Sequence, residues 1–388
     1  MILSPTSEAE LIEAVRAARA PLAIEGGGSK GGLGRPLQAQ DTLSLKNLGG
    51  VIFYEPAEMV FRARAGTPVA QLEQMLAEHG QMLPFEPMNH QSIYGAAGAP
   101  TIGAVAACNI SGPRRISHGA ARDSLIGVRF VNGFGEAINS GGRVMKNVTG
   151  LDLVKLQAGA FGTLGPLSEV TFKVLPRPST QATLALHGLD DARAIGALCR
   201  AVGSPFEISG AAHLPAGILG DAPRTLLRIE NVPESVVYRL GELQKIVGGG
   251  DTLDAAQSEA LWRQVRDVAA FASPDARALW RISTAPSRAV DLVRRVQQGG
   301  AVAHFYDWSG GLVWLAVETG DDARAADIRA AVAACGGHAT LVRAPVDLRA
   351  RVDVFQPPSA PLMALTRAVK ASFDPNAILN PGRMYAGV

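Results

Sequence analysis

The apolar positions of this chain change period several times, and the changes mark its elements. After Ser7, a suitable N-cap with Glu10 as its capping-box partner, Leu11, Val15 and Ala18 recur on one helical stripe. Pro21–Glu25 reads as a short strand, and Val51–Tyr54 and Val60–Ala65 as two more. A helix over Pro68–Gly80 follows, with Pro68 in its first turn and Gly80 at its stop. From Pro84 to Gly165 long helical patterns give way to Gly, Ala, Ser and Asn, with strands returning at Ile126–Val131 and Leu167–Val174.

Pro176–Ser179, "PRPS", reads as a rigid linker, and the texture changes after it. Strand Thr225–Glu230 leads to helix Pro233–Val247, and strand Leu279–Ser283 to helix Arg288–Gln298. "AVAHFYDW", a Ser-Gly-Gly turn and "LVWLAVE" form a hairpin, and helix Asp321–Cys335 and strand His338–Arg343 complete an α+β cap with a mostly antiparallel sheet. The last segment, "FDPNAILNPGRMYAGV", regains the Pro/Gly/Asn texture of the first half. The expected organisation is a first domain over 1–178, a cap over 179–345, and a C-terminal segment over 346–388 that returns to the first domain.

Composition narrows the function classes. The chain has 388 residues, 47% hydrophobic and 19% charged, enough for two cored domains. A net charge of +2 argues against a nucleic-acid partner. Neither a signal peptide nor a bilayer-spanning run is evident, so the expected location is cytoplasmic. Cys108, Cys199 and Cys335 are far apart and odd in number, which fits neither a disulfide framework nor iron–sulfur ligation. Any electron chemistry falls to an organic cofactor.

"IEGGGSKGGLGRP", Ile24 to Pro36, has glycine at six of thirteen positions. Gly26, Gly28 and Gly31 spell G-x-G-x-x-G, but Gly32, Gly34 and Pro36 stand where a dinucleotide-binding helix should run. The ATP-binding alternative needs a Ser or Thr after its lysine, and Lys30 is followed by glycine. Two readings survive: a plain surface loop, or a nest of backbone N–H groups around a phosphate. A second block, Gly98–Val131, has small residues almost continuously from Thr101 to Gly112, as expected of backbone lying against a planar ring. A third, Lys146–Val174, ends in Gly162-Thr163-Leu164-Gly165. Three blocks of close-approach backbone imply a long ligand contacted along its length. FAD has that shape.

Taken together, "GGGSKGGLGR", "ARAGTP", "GQMLPFEP", "GPRR", "HGAARD", "GGRVMKNVTGLDL", "KVLPRP" and "NPGRMYA" resemble the FAD-binding domains of the vanillyl-alcohol oxidase and p-cresol methylhydroxylase type. Within that type they resemble the FAD-binding subunits E of bacterial glycolate oxidases. The resemblance covers nearly all of the first 178 residues and the last sixteen, and is weak between. It implies a two-part FAD-binding domain, with Gly26, Gly27, Gly28, Ser29 and Lys30 wrapping the pyrophosphate. It sets Pro87 beside the flavin, and Thr101, Ile102, Gly103, Ala104, Ala107, Asn109 and Gly112 along the cofactor. Gly162, Thr163 and Leu164 match a later turn, and Asn380 and Arg383 a C-terminal pair near the flavin. Arg114 and Arg383 are the cations expected there, whereas Arg115 and Arg122 read as solvated charge, and Lys146 and Lys155 invite the same weighing.

No histidine or cysteine lies between Ile24 and Pro36, so the flavin is expected to be non-covalent, with His90 and His118 the alternatives. Leu151 stands where relatives often have tyrosine. The cap lacks the histidine-rich metal motif of catalytic 2-hydroxyacid dehydrogenases. His304 and Asp307, three apart on a strand, should face opposite ways, and no metal site is expected. Trp262, Trp280, Trp308 and Trp314 read as core, although Trp308 and Trp314 flank a turn where they could anchor a partner. The resemblance implies a glycolate-oxidising complex with a catalytic flavin subunit and an iron–sulfur subunit, reaching the inner membrane through those partners. The alternative is a stand-alone FAD-dependent 2-hydroxyacid dehydrogenase of the D-lactate type. No catalytic residue is assignable from the sequence.

Overall fold

The computed structural model describes residues 1–142 and 150–388; Lys146 lies outside the described residues. Helix Glu8–Ala17 opens the chain, with the Ser7 hydroxyl accepting from the Glu10 N–H and with Leu11 and Val15 buried. It packs beside a small parallel sheet in which Asp41–Ser44 lies between Ile2–Leu3 and Leu22–Glu25. A five-stranded antiparallel sheet follows, in which Val60–Arg64, Leu167–Lys173 and Leu125–Val131 form the centre. These two sheets are the two parts of the p-cresol methylhydroxylase-type fold expected from the sequence.

Every strand from Thr180–His187 to His338–Arg343 joins one antiparallel eight-stranded sheet. Strand alternation gives that sheet two faces with different duties. Trp280, Tyr306, Val313 and Leu315 pack with the cap helices, while Leu279, Phe305, Leu312 and Trp314 join a core shared with the N-terminal sheets. All four tryptophans are buried, so Trp308 and Trp314 are not surface anchors for a partner.

Among the described residues, three helices of ten residues or more fall where no helix is expected from the sequence. Asp191–Val202 is capped by Asp190, and Ala255–Arg266 carries a full capping box of Asp254 and Gln257. Ala360–Phe373 fully buries only Lys370, and its half-buried face ends in Phe373, which packs against the N-terminal core beside Phe130. The stretch after Thr101 is also helical, Ile102–Cys108, rather than flat backbone. Its small residues serve close packing: a Cβ on Gly103 would lie 2.5 Å from that of Ala65.

A buried ion-pair network joins the cap to the N-terminal sheets. Arg228 donates from Nη1 and Nη2 to the two Glu86 oxygens at 3.0 and 2.9 Å. Arg114 donates to both Glu230 oxygens at 2.8 and 2.7 Å. Burial alone would raise the Glu230 pKa, but Arg228 and Arg114 hold it at about 2. Arg114 therefore serves the domain joint. It lines a separate cavity of about 940 Å³ and not the glycine-rich cleft.

Arg228 is only 1% exposed. Arg228→Met should lower unfolding free energy by about 3–5 kcal/mol, because it leaves buried acids under-compensated. Urea denaturation measures it, and a loss below about 1 kcal/mol would assign the network no role in holding the joint.

Candidate functional site

Strand Leu22–Glu25 delivers the chain into the glycine stretch, where no regular element forms before Asp41. Its first glycines differ in purpose. A Cβ on Gly27 would sit 2.0 Å from the Ala99 carbonyl oxygen, and one on Gly26 2.3 Å from Thr101 Oγ1. Those two let loops pack backbone to backbone. Gly28 has φ +79° and, like Gly31, no neighbour where its Cβ would be, so both border open space.

That space is a cleft of about 390 Å³. Of the residues expected around a cofactor, Gly26, Gly27, Gly28, Ser29, Lys30, Thr101, Gly103, Ala104, Ala107, Gly162, Asn380 and Arg383 line it. Pro87, Ile102, Asn109, Gly112, Thr163 and Leu164 do not. Ile102 is buried in the core, Asn109 accepts the Arg122 N–H, and Thr163 donates to the Ala160 carbonyl. Leu151, 84% exposed, is also outside the cleft wall. Cys108, Phe161 and Arg349 line the cleft without having been singled out from the sequence.

Arg349 comes from helix Val346–Arg351 and donates to the Gly32 and Gly34 carbonyls at 2.9 and 2.8 Å. Only the folded chain brings it there. Asn380 works as a staple: its Oδ1 accepts the Ile24 N–H at 2.8 Å and its Nδ2 donates to the Phe161 carbonyl at 2.8 Å. It thereby fixes the exit of the strand that feeds the glycine turn. Lys370 locks the same segment, donating to the Thr163 and Leu379 carbonyls and to Asp374.

Lys30, Arg349 and Arg383 face this cleft against a single acid, Glu25. Burial lowers the pKa of each of the three cations. The Lys30 ammonium has one hydrogen bond among the described residues, to Ser29 Oγ at 3.1 Å. Thr101 Oγ1 is buried without a hydrogen-bond partner among the described residues. Buried cations, an orphaned hydroxyl and bare backbone fit a pyrophosphate-bearing group.

The other singled-out residues fall into two places. His304 and Asp307 do face opposite ways. His304 Nε2 lies 2.8 Å from Asp191 on the helix-covered face, where Tyr306 also donates to Asp191. Asp307 is on the opposite face, 3% exposed, accepting from the Trp308 N–H. Burial pushes its carboxyl up to about 7. Among the described residues, no group of three or more His, Cys, Asp or Glu is placed to hold a metal. His118 bonds Ser117 at 2.6 Å, and His90, 3% exposed, is pushed down to about 3 by burial and by Lys30. Lys155 donates to the Arg122 and Leu125 carbonyls.

With this geometry, residues 1–141 match the family described as FAD binding domain, and residues 358–384 the family of FAD linked oxidases, C-terminal domain. The chain is 35% identical over 370 residues to glycolate oxidase subunit GlcE of Escherichia coli K12, covering 95% of this chain and 93% of that protein. The chain belongs to the GlcE family of FAD-binding subunits. It is 26% identical to glycolate oxidase subunit GlcD of Bacillus subtilis 168, over 95% of this chain and 84% of that one. In fold it is similar to p-cresol methylhydroxylase with substrate bound, at a TM-score of 0.73 and 16% identity, covering 98% and 88% of the two chains.

Gly28→Val should cut FAD affinity far more than it destabilises the apoprotein, where the left-handed backbone costs about 1–2 kcal/mol. Gly27→Ala should do the reverse, lowering apoprotein melting through its clash with Ala99. FAD titration beside thermal melting separates the two, and equal FAD affinity in Gly28→Val and wild type would make the loop a plain surface loop.

Asp307 predicts a pH dependence. Its carboxyl keeps its proton to about 7 when folded but loses it near 3.8 when unfolded. The folded state binds more protons in that window, so this group makes stability fall as pH rises from about 4 to about 7. Asp307→Asn should gain stability relative to wild type as pH rises through the same window. Denaturation at about pH 4.5 and about pH 8 checks this, and a pH-independent difference would contradict the shifted carboxyl.

Proposed function

We propose that this chain is an FAD-carrying subunit of a glycolate oxidase complex, taking part in the oxidation of glycolate to glyoxylate. The observation that carries the reading is the positively charged, glycine-walled cleft, combined with full-length similarity to GlcE. Gly28 and Gly31 leave room for phosphate approach, Lys30 and Arg383 supply charge, and Asn380 holds the turn. The bound flavin supplies the redox chemistry; this chain binds it, orients it and excludes water.

The FAD is non-covalent. No cysteine or histidine stands in the glycine loop, and His90 and His118 lie outside the cleft wall. The partners are a catalytic flavin subunit and an iron–sulfur subunit, through which the complex reaches the inner membrane. Among the described residues, no helix is long and apolar enough to cross a membrane. A stand-alone D-lactate-type dehydrogenase is the second reading, and buried Asp307 favours it as a carboxyl able to exchange a proton near neutral pH.

Acid precipitation of the purified yellow protein should release the chromophore into the supernatant. Colour kept in the pellet would mean a covalent flavin, and failure to take up FAD would end the reading. Anaerobic mixing with glycolate should bleach the flavin of the isolated chain slowly, and faster after co-expression with the two partners. Bleaching by the isolated chain at its steady-state turnover rate would promote the stand-alone dehydrogenase.

A further inference from the structure

Arg115 and Arg281 reach the same side chain from different parts of the molecule. Arg115 follows the Gly112 loop, whereas Arg281 lies on cap strand Ala278–Ser283. Their guanidinium carbons stand 4.7 and 5.0 Å from the centre of the Trp308 ring. The solvated role expected for Arg115 from the sequence does not hold, since it is half-buried against this ring.

The contrast with the neighbouring arginines is chemical. Arg114 and Arg228 are each held by a carboxylate through two N–H groups. Among the described residues the Arg115 and Arg281 side chains have neither a hydrogen bond nor an ion pair with an acid; Asp123 and Asp307 act on them only from beyond contact distance. Burial and Arg115 together push the Arg281 pKa down to about 10. An indole face offsets part of the charge of a single cation, but it does not cancel repulsion between two.

The ring that both cations approach is fixed. Trp308 Nε1 donates to the Gly112 carbonyl at 3.0 Å, and its backbone N–H to Asp307. Trp308 and Ser309 hold left-handed φ values of 51° and 60°, a strain the fold retains at this turn. The location is informative too. Buried His90 feels the charges of both Lys30, which lines the glycine cleft, and Arg281.

We propose that Arg115 and Arg281 form a site for a small carboxylate anion of the 2-hydroxy-acid or 2-oxo-acid class. Two planar forks beside an aromatic wall match a planar carboxylate, and the bound anion removes the repulsion between them. The site is divided: one arginine belongs to the cofactor-binding part and the other to the cap, so an occupant ties the two together. The ligand class rests on the proposed glycolate reading; the anion site itself rests on the geometry.

The test is calorimetric titration of the FAD-loaded full chain with oxalate, a planar carboxylate that the flavin cannot oxidise, with inorganic phosphate as a second titrant. One saturable site per chain with Kd below about 1 mM is expected, weakening as salt is added. Arg115→Met and Arg281→Met should each weaken oxalate by about tenfold or more, and the Lys variants by less, with FAD content unchanged. If a Met variant melts below the assay temperature, its Lys variant carries the comparison. No saturable oxalate binding to the FAD-loaded wild type, or unchanged affinity in the variants, would overturn the site. Phosphate binding tighter than oxalate would overturn the carboxylate assignment. Failure of the glycolate reading shows separately, as a chain that takes up no FAD before any titration begins.

Discussion

Four buried charges hold the cap against the N-terminal sheets. Glu86 and Arg114 come from one side, Arg228 and Glu230 from strand Arg224–Asn231 on the other. Taking such groups from water costs several kcal/mol each, and the cost is offset only where the forks are satisfied at both ends. Here each carboxylate receives two N–H groups from one guanidinium. With the joint set this way, Trp308 reaches the Gly112 carbonyl, and the cap face carrying Arg281 and Asp307 stands over the cofactor-binding part.

The same currency, charge in a low-dielectric place, separates structural from ligand-directed residues. Arg114, Arg228 and Lys370 are compensated within the protein and are parts of its architecture. Among the described residues no acid hydrogen-bonds Lys30, Arg115 or Arg281, and Asp123 and Asp307 reach the two arginines only from beyond contact distance. Buried cations left without carboxylates carry an unmet demand for an anion. That demand is concentrated in two places, one glycine-walled and one aromatic. Such a pairing suits a phosphate-bearing cofactor beside a carboxylate ligand.

The C-terminal segment shows how far apart in sequence the parts of one site can be. Ile24 and Asn380 are joined by a single hydrogen bond, as are Gly34 and Arg349. Lys370 gathers the carbonyls of Thr163 and Leu379 and the Asp374 carboxylate around one ammonium. The tail is thus the clamp on the glycine turn, and its Asn- and Gly-rich texture follows from that duty. Asn380 itself sits at φ +45°, a conformation asparagine tolerates better than most residues.

Local sequence was enough wherever one period dominates. Helix Pro233–Val247 and strand His338–Arg343 follow their patterns to the residue, and the odd spacing of His304 and Asp307 puts them on opposite faces. The glycine loop was legible because a missing side chain is itself a local signal of close approach. Helix Ala255–Arg266 was missed: its Asp254 and Gln257 box is a short signal inside a stretch without a strong helical period. Partnership was not legible. Arg114 and Arg115 are neighbours in sequence, yet one is buried in carboxylates and the other lies on an indole. A charge takes its role from what the fold places within a few ångströms, and for both arginines those groups lie about two hundred residues or less along the chain, on strands that only tertiary packing brings near. The sequence alone determined the strongly periodic elements, the fold class and the glycine-rich wall of the cleft; the tertiary structure decided which cations are satisfied and which remain open to an anion.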